Sequence, residues 1–151
     1  MFLVIHAAAG ASLGAQVQNP FLAFILGLIS HYILDSIPHG DEKLRQDFED
    51  KHRVKCTFIV GLDFVLTIFT IIVITFFDLP ANPLSMASGI FGALLPDFIQ
   101  LTYFLSKHPW LKKISNLHDN FHYNNNRFNL GYIRGFFLQA GILVLLFLIS
   151  R

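Results

Sequence analysis

Apolar positions gather into five long runs along this chain of 151 residues, each closed by turn residues or by charge. The runs are Phe2–Gln18, Pro20–Ile37, Val54–Phe77, Ser85–Ser106 and Leu130–Ile149. Stretches of this length and hydropathy read as membrane helices, the first two at the short end of what spans a bilayer. The tight Asn19-Pro20 turn makes those two an antiparallel hairpin, and DLPANPL at 78–84 forms a second short turn. The reading is an all-α integral membrane bundle of about five transmembrane helices, in one domain covering 1–151.

Composition strengthens this reading. Hydrophobic residues make up 54% of the chain, phenylalanine alone contributes 17, and mean hydropathy is +0.55. Charged residues reach only 14%, about half the share of a soluble domain. A net charge of +1 without an arginine-rich stripe gives no sign of a nucleic-acid partner. The single cysteine, Cys56, excludes an internal disulfide and reads as a small buried hydrophobe. The opening MFLVIHAAAGASLGA lacks a basic leader region and is interrupted by His6, so it reads as a retained first helix.

Two thirds of the charged residues sit in two connections, 38–53 and 107–129, while both short turns lack lysine and arginine. The positive-inside rule places these connections in the cytoplasm, with the N-terminus inside and the C-terminus outside. His6, His31, Asp35, Asp63, Asp97, His118 and His122 then all fall at one membrane face. An ionisable residue at membrane depth is costly enough to mark a functional site. Small-residue stripes on the first helix (His6, Gly10, Gly14), the fourth (Ser85, Gly89, Ala93, Asp97) and the fifth (Gly131, Gly135, Gln139) mark close helix contacts. Asn19-Pro20 and Asn82-Pro83 open helices of related layout. They read either as two repeated hairpins side by side or as chance similarity among apolar helices.

His31 and Asp35 are four residues apart and project from one helical face. A metal takes both, or Asp35 orients His31, or the two lock the bundle as a polar pair. Asp97 follows Pro96, whose missing N–H and kink open a polar pocket beside the carboxylate. Asp63 pairs with a histidine or Arg134, or ligates a metal. His39 and Asp41 lie at the interface, read first as solvated loop residues and second as members of the site. His118 and His122, in HDNFH, have the spacing of a helical two-histidine zinc site, with Asp119 at the glutamate position of metalloproteases. Trp110, Leu111, Ile114, Leu117 and Phe121 form an apolar stripe with Lys112 and Lys113 opposite, which predicts an amphipathic helix flat on the headgroups.

Four blocks together resemble the bacterial membrane-bound metal-dependent hydrolase family, a group of small inner-membrane proteins. They are HAAAGASLG, GLISHYILDSIP, GALLPDF and HDNFH; in the family the leucine-leucine-proline-aspartate block comes before the histidine-aspartate block, and here it follows. The alternating His/Asp helices look more faintly like zinc-dependent phospholipase C. The resemblance implies an inner-membrane location and a metal site at His6, His31, Asp35 and Asp97.

The expected function is hydrolysis of a phosphoester in a phospholipid or lipid-linked substrate at the cytoplasmic interface, with a divalent metal: zinc first, manganese or magnesium as alternatives. His6, His31, Asp35 and Asp97 would be ligands. His118 and His122 would complete a second metal or act catalytically by protonating the leaving group. Lys112, Lys113 and Arg127 would attract anionic headgroups. One alternative is an intramembrane metalloprotease using His118 and His122. Others are a metal or proton transporter, which needs a polar path through the nearly apolar outer half, and a structural membrane protein with a buried His/Asp network.

Overall fold

The computed structural model describes residues 1–39, 53–77, 82–121 and 131–149. Among them are six α-helices and no strand: α1 (Leu3–Gln16), α2 (Pro20–Asp35), α3 (Arg53–Phe77), α4 (Pro83–Ser106), α5 (Pro109–Asp119) and α6 (Gly131–Ile149). Local chemistry sets several of their ends. The Asn19 side chain accepts hydrogen bonds from the Phe21 and Leu22 amides, with Pro20 at the first helical position. Asn82 and Pro83 open α4 the same way, and Asn82 Nδ2 donates to the Gln18 carbonyl at 2.8 Å, so the two turns lie side by side. At the far end of α4, Lys107 adopts a left-handed conformation, φ 52°, and its N–H closes the last turn on the Tyr103 carbonyl.

Helix α4 is the centre of the packing, in contact with both α1 and α2. Glycines allow this. A Cβ on Gly10 or Gly27 would meet the Gly89 carbonyl, one on Gly89 would meet the Gly10 carbonyl, and one on Gly92 would meet the Phe24 carbonyl. The small-residue stripes of α1 and α4 therefore are helix contacts. A Cβ on Gly131 would meet nothing within 4 Å among the described residues. Ala7, Ala11, Met86, Ile90 and Leu94 fill the α1–α4 seam. Helices α3 and α6 each lie against α1, and α5 lies against α4.

Among the described residues, two helices are long and apolar enough to cross a membrane, Val54–Phe76 and Pro83–Ser106. Leu3–Gln16, Pro20–Asp35 and Ile133–Leu148 are apolar but shorter. At 1.5 Å per residue, a helix the length of α1 covers about 21 Å, against roughly 30 Å of bilayer hydrocarbon. Of the five spans read from the sequence, two thus have spanning length and three fall short of it.

Candidate metal centre

Four donor side chains from three helices converge at one end of α2. His31 and Asp35 come from its last two turns, Asp97 from the turn after Pro96 in α4, and His118 from α5; one ligand atom of each lies within 4.8 Å of all the others. His31 Nε2 is 3.1 Å from Asp35 Oδ2. His118 Nε2 is 3.3 Å from that same oxygen and 3.3 Å from Asp97 Oδ1. Ligands about 2.0 Å from a tetrahedral ion stand about 3.3 Å apart. The observed separations fit that spacing.

The orientation of the atoms carries more weight than their distances. His31 Nε2 and Asp97 Oδ2 are buried and have no hydrogen-bond partner, although they sit among groups that could supply one. Orphaned buried polar atoms are rare and expensive, and a cation shared between them removes the cost. The other His31 nitrogen, Nδ1, donates to the Ala93 carbonyl at 2.7 Å. That bond puts the proton on Nδ1 and leaves the Nε2 lone pair for a ligand role, as in most metal-binding histidines. The acceptor lies on the turn that Pro96 interrupts, so the proline and the histidine are linked through the α4 backbone.

Asp35 divides its two oxygens. Oδ2 faces His31 and His118, while Oδ1 takes the Met1 amino nitrogen at 2.6 Å and His6 Nε2 at 3.1 Å. His6 therefore meets the cluster through Asp35, with its ring stacked on that of His31 at 4.1 Å between centroids. It stands behind the four donors, not among them. Asp97 alone of the four side chains is open to the surroundings, at 23% exposure, against complete burial for His31 and Asp35.

No family model, curated protein or solved structure matches this chain. The site must be read from its own chemistry.

Helix α5 brings His118 in with its polar side. Ser115 and His118 are buried, whereas Trp110 is 87% exposed and Ile114 and Leu117 are exposed as well. Its apolar stripe faces outward, where the sequence pattern alone could not say which face would be covered. Gln100, one turn beyond Asp97 on α4, pins this helix: its Nε2 donates to Asp119 Oδ1 at 2.8 Å, and its Oε1 accepts from Ser115 Oγ at 2.5 Å. Burial alone would lower the His118 imidazole, but the Asp35 and Asp97 carboxylates outweigh it and push its pKa up to about 9. A proton on His118 thus offsets the carboxylates when no metal does.

Other candidates have other duties. Asp63 accepts from the Leu3 and Val4 amides at 2.7 and 3.2 Å, capping α1 from α3; its partners are neither a histidine nor Arg134. His39 is not a solvated loop residue: it is fully buried, its Nδ1 held by the Ile37 carbonyl and its own carbonyl by Gln139. Asp119 is engaged by Gln100, which leaves its glutamate-like role without support. His122, Asp41 and Arg127 lie outside the described residues. Sequence reasoning missed Gln100 and read Gln139 only as part of a packing stripe, although an amide in an otherwise apolar helix was a visible signal for both.

Proposed function

We propose that this protein is a membrane-embedded, metal-dependent hydrolase that cleaves a phosphoester in a lipid or lipid-linked substrate. The observation that carries the reading is the buried His31, Asp35, Asp97 and His118 set, with donor atoms at ligand spacing and two of them lacking any hydrogen-bond partner. Two imidazoles and two carboxylates suit zinc, with manganese next. A divalent ion held by His31, Asp35, Asp97 and His118 would supply Lewis acidity and would lower the pKa of a water.

The chain's own groups do the rest. Asp97, the most exposed of the four, marks the side from which water and substrate would reach the ion. Ala93 fixes the His31 tautomer, and His6 steadies Asp35 through its second oxygen. The broad outer surface of exposed phenylalanine, leucine and isoleucine on α3, α4 and α6 suits a bilayer. In this reading all five apolar helices sit in a bacterial inner membrane with the site at the cytoplasmic face, and the short α1 and α2 are accommodated by local bilayer thinning. Lys112 and Lys113 on the exposed side of α5 would meet anionic headgroups.

The test is metal content by mass spectrometry on detergent-purified protein, followed by a phosphoester screen on phospholipids. Wild type is expected to hold near-stoichiometric zinc or manganese, and His31→Ala and Asp97→Ala to lose it while keeping their helical content. Wild type that takes up neither metal would overturn the hydrolase reading and leave the cluster as a structural network.

A further inference from the structure

Helices α3 and α6 both pack on α1, and a furrow between them runs along α1 beside its seam with α4. Two cavities lie in it, of about 610 and 290 Å³, and Thr70 and Leu143 line both, so the furrow is continuous. Its floor is the α1 face Val4, Ala8, Ala11, Ser12 and Ala15. Val4 to Ala15 covers about 16 Å of helix, close to the hydrocarbon depth of one leaflet, half of roughly 30 Å.

The two ends differ. The smaller cavity has only Ser12 and Thr70 as polar lining residues. The larger reaches His39, Lys55, Asp63 and Gln139. Asp63 is bonded to the amides of α1, while Gln139 joins the Phe2 amide to the His39 carbonyl. These groups are engaged by backbone and offer little to a peptide, which would need hydrogen-bond partners along its length. An acyl chain needs none. Lys55 is exposed at this mouth and supplies positive charge.

We propose that the furrow between α3 and α6 holds one acyl chain of an anionic phospholipid, with its headgroup beside Lys55. The mouth lies at the end of α1 where the Met1 amino group touches Asp35, so the headgroup stands at the level of the metal cluster. That this lipid is the substrate rests on the hydrolase reading; that it binds does not.

Native mass spectrometry on detergent-solubilised protein incubated with dioleoylphosphatidylglycerol tests this, with zinc content read on the same samples. Wild type is expected to retain one lipid per chain. Thr70→Phe combined with Ala140→Phe, which fills the furrow, should cut retention about tenfold by removing the packing contacts that hold the chain there. Lys55→Gln should lower retention of phosphatidylglycerol about fivefold and leave dioleoylphosphatidylcholine unchanged. Equal retention by the filled variant and wild type would overturn the proposal. Lipid retained by a wild type that binds no metal would instead sink the hydrolase reading and leave the furrow standing. Should the filled variant not fold, unsubstituted protein is labelled with phosphatidylglycerol carrying a diazirine in its acyl chain. Labelling concentrated at Thr70, Ala140 and Leu143 supports the furrow; labelling spread equally over outward residues such as Val65 and Phe91 overturns it.

Discussion

Gln100 spends both halves of its amide on α5, and through Ser115 and Asp119 it sets where His118 lies. Gln100→Leu keeps the size and removes both bonds. It is expected to weaken divalent-metal binding about tenfold, the low end for groups that orient ligands, with helical content unchanged; competition against a chelator reads the affinity. His118 also makes α5 docking depend on pH in the metal-free protein. Its pKa is raised from 6.5 to about 9 in the folded state, so docking is strongest below about 6.5 and fades as pH climbs through about 9. Trypsin cleavage at the exposed Lys112 and Lys113 should be slow at neutral pH and accelerate across that window. At this scale the sequence was legible where spacing did the work: the four-residue step from His31 to Asp35 and the Pro96-Asp97 step both mark cluster members. Gln100 escaped because its partners come from another helix, which no local spacing records.

The glycines of α4 act as an element-level device, since two neighbouring helices approach the backbone of Gly89. Gly89→Ala is expected to destabilise the bundle by about 1–3 kcal/mol, the usual range for overpacking, seen as a lower thermal midpoint in detergent. Gly61→Ala, in α3 with nothing within 4 Å, is the contrast: it should be neutral or gain up to about 1 kcal/mol from helix propensity. These stripes were readable because close helix approach demands small side chains. The orientation of α5 was not. An amphipathic pattern says that two faces differ, and here the buried one holds Ser115 and His118 because the cluster attracts the polar side.

Across the whole molecule, the two Asn-Pro turns meet at one end, through Asn82 and Gln18, and the His/Asp cluster closes the other. The five apolar helices and the gathering of His6, His31, Asp35, Asp97 and His118 at one end were legible because burying such residues in an apolar helix demands a reason. Helix lengths were less so, since the apolar Val17 follows α1 in an extended conformation and hydropathy does not record where the helical hydrogen bonds stop. The donors lie far apart in sequence, from His31 to His118. An ion between them would act as a clasp across most of the chain, closing a loop in the manner of a cross-link. Removing it with a chelator is expected to raise amide exchange in α5 first, while the glycine-packed seam of α1, α2 and α4 stays protected. Metal supply would then govern how long the protein survives a protease.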